Sequence, residues 1–225
     1  VLGFSQILQE TLGDLTDKQT RYFENIRSGA QQLLEMFENI MQFSALQAGE
    51  AHLSLTDFDV DGLIDEVLEG VREDSARRSI ALSRAPQGRG GQRASADVEM
   101  CRKILSVLVE NAIKFSAGGT TVTVDAAVKS GPDCDRDMLP EASEADAWLH
   151  LTVEDTGPGI DPADHDRIFH LFEQLEGDLA REHQGAGLGL ALAMSLARGQ
   201  VGTIVVDSQV GSGSRFTAII PTAPA

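Results

Sequence analysis

The sequence predicts an α+β fold in two parts. Residues 1–48 form a helical hairpin that closes into a four-helix bundle on dimerisation, and residues 49–225 form an α/β sandwich with helices on one face of a mixed sheet. Three observations predict it. Tyr22, Ile26, Leu33, Phe37, Ile40 and Ser44 recur at steps near seven and four, with Leu34 and Met41 widening the stripe, and one hairpin cannot bury so long an apolar face. After Gly49 the pattern changes to short alternating runs mixed with amphipathic stretches. Near the C-terminus two alternating runs follow one another closely, as closing strands do.

Taken in order, residues 1–11 are the tail of a first helix, with Val1, Phe4 and Leu8 apolar, Leu12 extending the pattern, and no cap before them; the natural helix is expected to begin earlier. Gly13 and Asp14 mark the turn. Thr16 followed by Gln19 has the form of a capping box for the second helix, which Gly49 ends. Residues 53–60 read as a strand and residues 60–78 as one helix through Leu63, Ile64, Val67, Leu68 and Val71. A short strand is expected at residues 80–82 and an exposed glycine-rich loop at residues 86–93. Residues 97–114 form a helix with Ile104, Leu105, Leu108 and Val109 inward; residues 120–128 and 149–153 alternate as strands. The acidic stretch 130–147, with two prolines, reads as an exposed insertion. A helix over residues 188–198 and strands over 202–208 and 214–221 complete the chain.

Composition narrows the function. At 225 residues and 42% hydrophobic, the chain can build a sizeable core. With 35 acidic against 18 basic residues its formal charge is −17, which repels phosphate backbones and anionic membrane faces, so neither nucleic acid nor direct membrane contact is expected. No apolar run approaches the roughly 20 residues of a membrane span, and no signal peptide is visible. Cys101 and Cys134 lie far apart without metal-ligand spacing, which fits a reducing, cytoplasmic compartment, membrane attachment upstream being left open. Cys101 falls in an apolar helical stretch and reads as a small buried hydrophobe.

Four segments carry chemistry: ENAIKFS at residues 110–116, DTGPGI at 155–160, GAGLGL at 185–190 and GSGSRF at 211–216. Asp155 stands where a strand ends in a glycine-containing turn. Its carboxylate can accept a hydrogen bond from an adenine amino group while Gly157 and Gly159 let the base approach; the competing reading is an aspartate that caps its own turn. Gly185, Gly187 and Gly189 open a helix, and a helix start offers unpaired N–H groups and a positive dipole end to phosphate oxygens. Their spacing is GxGxG after a polar loop, which excludes a dinucleotide fingerprint, and no Lys-Ser/Thr follows to make a Walker loop. Residues 174–184 between IFHLFEQ and these glycines read as a lid that nucleotide would order.

In this order and spacing, the four segments resemble the N box and glycine boxes of the sensor histidine kinases. The resemblance covers essentially the whole chain, and residues 1–8 look like the continuation of an H box whose phosphorylated histidine lies upstream. It implies an ATP-binding catalytic core that transfers the γ-phosphoryl of ATP to that histidine, from which a response regulator's aspartate takes it. ATP and Mg²⁺ are the implied cofactors; a second copy of the chain, through the hairpin, and a response regulator receiver domain are the implied partners. Gln6, Glu10 and residues 21–24 are plausible regulator contacts or merely solvated helix positions.

Residue by residue, Asn111 resembles the family's magnesium-binding asparagine, Lys114 meets a phosphate, and Asp155 with Gly157 and Gly159 takes the base. Arg181 of the lid and Gly185, Gly187, Leu188 and Gly189 surround the phosphates. Glu110 is a candidate general base or a support behind the metal, with a solvated helix carboxylate as the rival. Many relatives carry a second asparagine one turn before the first, where this chain has Val107, which puts a metal ligand in doubt. His52, His150, His165, His170 and His183 show no partner spacing and are expected to be structural or exposed. Arg215 and Phe216 are expected to support the fold around the nucleotide. Two alternatives stand beside the kinase: a regulatory pseudokinase that binds ATP or partners without autophosphorylation, and an ATPase of the gyrase, mismatch-repair or chaperone group.

Overall fold

The structure, a computed structural model, describes residues 16–47, 53–85, 91–130, 145–173 and 187–222. The first hairpin helix, most of the acidic insertion, and the lid with Arg181 and Gly185 lie outside the described residues, as do residues 86–90 of the glycine-rich loop. The chain divides into two compact units, Val1–Ala45 and Leu46–Ala225.

In the first unit, Thr16 and Gln19 cap the helix reciprocally. The Thr16 N–H donates to Gln19 Oε1 at 2.9 Å and the Gln19 N–H to Thr16 Oγ1 at 3.4 Å. From there α1 runs Asp17–Gln47. Its apolar stripe lies on the surface: Tyr22 is 54% exposed, Leu33 67% and Phe37 60%, with Ile26, Leu34, Ile40 and Met41 exposed beside them. Burying each such side chain is worth about 1.5–3 kcal/mol, a strong drive toward a partner.

The second unit contains β1 (Leu55–Asp59), α2 (Val60–Gly70), α3 (Arg72–Arg77), β2 (Ala81–Arg84), β3 (Arg93–Asp97), α4 (Val98–Phe115), β4 (Thr121–Ser130), β5 (Ala147–Asp155), α5 (Gly189–Gly199), β6 (Thr203–Gln209) and β7 (Gly213–Thr222). Residues 60–78 are therefore two helices and not one: Gly70 weakens the helix end, and Val71 leaves helical geometry at φ −105° and ψ 4°. Strand β3 corrects the expected loop-to-helix boundary. Its Ala94 and Ala96 are buried, but alanine is a poor strand signal. It pairs antiparallel with β1 in a separate two-stranded ribbon.

The main sheet has the order β2-β4-β5-β7-β6, with β2 and β4 parallel and the other pairs antiparallel. Register aligns Val124, Val153, Phe216 and Val206 in one row and Ala126, Leu151, Ala218 and Ile204 in the next. Against this face pack α4 and α5. On the opposite face Thr152 and Thr217 share a hydrogen bond of 3.0 Å, Arg215 pairs with Glu154, and Trp148 packs on Ile219.

Helices α4 and α5 are tied at the end remote from the glycine segments. Asp97 caps α4 by accepting from the Met100 N–H at 3.1 Å, while its own N–H donates to Gln200 Oε1 at 3.0 Å beyond the end of α5. Cys101 is buried beside Gln200, and burial pushes its thiol up to about 12, so it stays protonated at neutral pH. Among the described residues, no helix is long and apolar enough to cross a membrane.

Candidate nucleotide site

Three approaches build the site. Strand β5 delivers Asp155 at its last position, and the turn that follows passes so close to the end of α4 that a Cβ on Gly157 would lie 2.9 Å from the Phe115 carbonyl oxygen. Only glycine allows that approach. At the start of α5, a Cβ on Gly189 would meet Val107 Cγ1 of α4 at 3.3 Å. The β6–β7 turn then backs the Asp155 loop, with the Gly211 N–H donating to the Pro158 carbonyl at 2.6 Å.

Asp155 is 7% exposed. Its Oδ1 accepts from the Gly157 N–H at 2.7 Å, and the Ser214 N–H also donates to the carboxylate. Burial raises its pKa above the usual carboxylate range, against the opposing pull of the Gly157 and Ser214 N–H groups; the charge of Glu154 adds to the rise.

On α4, Asn111 and Lys114 are half-buried and Glu110 is exposed. Lys114 Nζ sits 5.1 Å from the Phe115 ring centroid. Burial and the nearby Arg78 lower its pKa. Val107, one turn before Asn111, is buried and spends its side chain on packing against Gly189. Among the described residues, no group of three or more His, Cys, Asp or Glu side chains is placed to hold a metal.

Leu188 occupies the N-cap position of α5 and gives its first N–H groups no side-chain acceptor. Those donors and the helix dipole suit an anion. Just before it, Gly187 has φ +67° and accepts at its carbonyl from the Phe172 N–H at 3.1 Å. A Cβ there would lie 2.9 Å from the Glu173 carbonyl oxygen, so this position requires glycine twice over. Residues 110–115, 155–159 and 187–189 therefore converge, while Arg181 and Gly185 lie outside the described residues.

Three other candidates lie on the main sheet. Phe216 is buried and meets Phe169 edge-on at 6.4 Å between ring centroids. Arg215 bridges to Glu154 at 2.8 Å. His150 lies on β5 between Ala127 and Ile219, and burial with the Lys129 charge pulls it down to about 4. Ser208 of β6, whose hydroxyl accepts from the Ile160 N–H at 2.8 Å and so holds the Asp155 loop, carries no signal in the sequence.

Comparison with known proteins follows the same division. Residues 96–224 match the family described as histidine kinase-, DNA gyrase B-, and HSP90-like ATPase, and residues 1–49 match the His Kinase A (phospho-acceptor) domain. The chain is 32% identical over 216 residues to sensor protein GacS of Pseudomonas syringae pv. syringae, covering 96% of this chain and 22% of GacS. It is 32% identical over 223 residues to the circadian input-output histidine kinase CikA of Synechococcus elongatus, covering 98% and 28%. The chain thus spans about a quarter of the length of these curated relatives. Among solved structures, full-length ShkA in complex with AMPPNP aligns with a TM-score of 0.76 at 29% identity, over all of this chain and 43% of ShkA. The Acinetobacter baumannii histidine kinase AdeS shares the fold at a TM-score of 0.66 and 20% identity, over 99% and 93%.

Proposed function

The chain belongs to the family of histidine kinase-, DNA gyrase B-, and HSP90-like ATPases, and we propose that it is the ATP-binding catalytic core of a two-component sensor histidine kinase. Residues 49–225 bind and present ATP; residues 1–48 belong to a dimerisation and phosphotransfer hairpin. No histidine occurs in residues 1–49; in this reading the phosphoryl acceptor is a histidine other than those of this chain. A response regulator receiver domain is the onward acceptor.

The residues present fit the nucleotide. In this reading the adenine amino group donates to Asp155, the loop at Gly157 and Gly159 lies along the base, and the phosphates meet the α5 N-terminus at Leu188 and Gly189. Lys114 balances phosphate charge, with Arg181 and Gly185 as further phosphate contacts. Asn111 is the side chain that holds Mg²⁺, through its amide oxygen. Mg²⁺ is commonly carried mainly by phosphates and water, with one or two protein ligands. The ion supplies charge neutralisation at the phosphates when bound. Val107 offers no ligand, so the ion would lose that contact or take a water there.

Phosphoryl transfer depends chiefly on positioning and charge stabilisation. This chain orients the donor; Glu110 stands beside Asn111 as the group to accept a proton during transfer. The observation that carries the proposal is Asp155, a carboxylate buried at the end of β5 between glycine turns that a side chain would block. Titration of the chain with AMPPNP tests it. In Asp155→Asn the affinity should fall at least about tenfold, roughly 1.4 kcal/mol; an unchanged affinity refutes the base site.

A further inference from the structure

The hydroxyl of Ser208 makes three contacts at one atom. Its Oγ accepts from the Ile160 N–H at 2.8 Å, donates to the Gly213 carbonyl at 2.8 Å, and lies 3.1 Å from Ser214 Oγ. The single hydroxyl hydrogen is thus shared between the Gly213 carbonyl and Ser214 Oγ, while the oxygen accepts from Ile160. Ile160 closes the DTGPGI loop, whereas Gly213 and Ser214 begin β7 beside Asp155. The loop is therefore fastened at its far end to the strand that borders its near end.

The surrounding contacts leave little slack. A Cβ on Gly159 would overlap the Gln209 carbonyl oxygen, and one on Gly213 would overlap the carbonyl oxygen of Asp155. Backbone thus rests directly on backbone at both ends, and Ser208 is the side chain that bridges them. Asp155 itself is paired with Ser214 in the ladder, so a shift of this turn moves the carboxylate.

We propose that Ser208 is a positioning residue for nucleotide binding: its hydroxyl fixes the loop from Asp155 to Ile160 in the geometry that presents the Asp155 carboxylate to the base. The inference rests on the adenine role given to Asp155 above. It assigns Ser208 no contact with the nucleotide; the serine acts through the loop.

The test is a double-mutant cycle on the 225-residue chain, with AMPPNP affinity by calorimetry and thermal unfolding recorded for each protein. Ser208→Ala should weaken AMPPNP by about fivefold to tenfold, the scale of a lost hydrogen bond, and Ser208→Thr, which keeps the hydroxyl, should restore it. In an Asp155→Asn background the alanine substitution should cost much less, because the carboxylate it positions is gone. Wild-type affinity in Ser208→Ala, or losses that simply add in the double variant, would overturn the role of Ser208 while leaving the base site intact. Unchanged affinity in Asp155→Asn alone would instead overturn the base site, and with it this inference. If Ser208→Ala lowers only the unfolding temperature and not the affinity, the residue is structural and the proposal fails.

Discussion

Gly157→Ala is the substitution whose effect follows most directly from the geometry. A Cβ there would lie 2.8 Å from Asp155 Oδ1 and 2.9 Å from the Phe115 carbonyl oxygen. Both are about 0.5 Å or more inside ordinary contact, and neither obstacle is the free end of a flexible side chain: one is main chain and the other is the tethered carboxylate. The loop must therefore retreat from α4, and the 2.7 Å bond from the Gly157 N–H to Asp155 is the first casualty. A hydrogen bond to a charged acceptor is worth about 1.5–3 kcal/mol. If the bound geometry requires it, AMPPNP affinity falls by about tenfold to 150-fold. Calorimetric titration measures the affinity, and circular dichroism confirms that the fold survives. An affinity within about twofold of wild type in a folded Gly157→Ala protein would refute the close approach of loop and helix as a requirement of binding.

Four further outcomes follow from the same structure. Because burial raises the Asp155 pKa, AMPPNP affinity should decline as pH falls through that raised value, where the protonated carboxyl no longer accepts from an amino donor, and Asp155→Asn should flatten the profile. By linkage the same shift makes the ionised group a cost to the unliganded fold: its favourable contribution is present below the unfolded pKa and lost as pH rises through the folded one. Asp155→Asn should consequently unfold at an equal or higher temperature than wild type at neutral pH, with the difference shrinking in acid. Phe37→Asp, at the centre of the exposed stripe of α1, should shift sedimentation toward monomer while AMPPNP affinity stays unchanged, since residue 37 lies in the other unit. Val107→Asn should increase the gain in AMPPNP affinity on adding Mg²⁺ by placing an amide oxygen one turn from Asn111, and should cost stability by removing the packing on Gly189.

The legible parts of the fold were those with long, strong periodicity. Helix α4 shows Ile104, Leu105 and Leu108 inward, and β4, β5 and β7 alternate cleanly enough to be read within two residues or so of their ends. Strand β3 was illegible because alanines line its buried side, and the break between α2 and α3 because Val71 continues the helical spacing across it. No local pattern announces that β1 pairs with β3 outside the main sheet; that choice is made by tertiary packing. At the site, the glycine segments were legible because backbone contact permits no other residue, whereas Ser208 acts through contacts with residues 160, 213 and 214 and has no sequence signature. Val107 was legible as a departure, but its contact with Gly189 needed the structure.

The central claim is that the buried carboxylate after β5 reads the base of ATP while the start of α5 holds its phosphates. A crystal structure of this chain with AMPPNP and Mg²⁺ tests it most directly. The account predicts the adenine amino group within hydrogen-bond distance of the Asp155 carboxylate, phosphate oxygens at the N–H groups of Leu188 and Gly189, and the ion on Asn111. A base bound away from Asp155, or phosphates away from the α5 N-terminus, would contradict it.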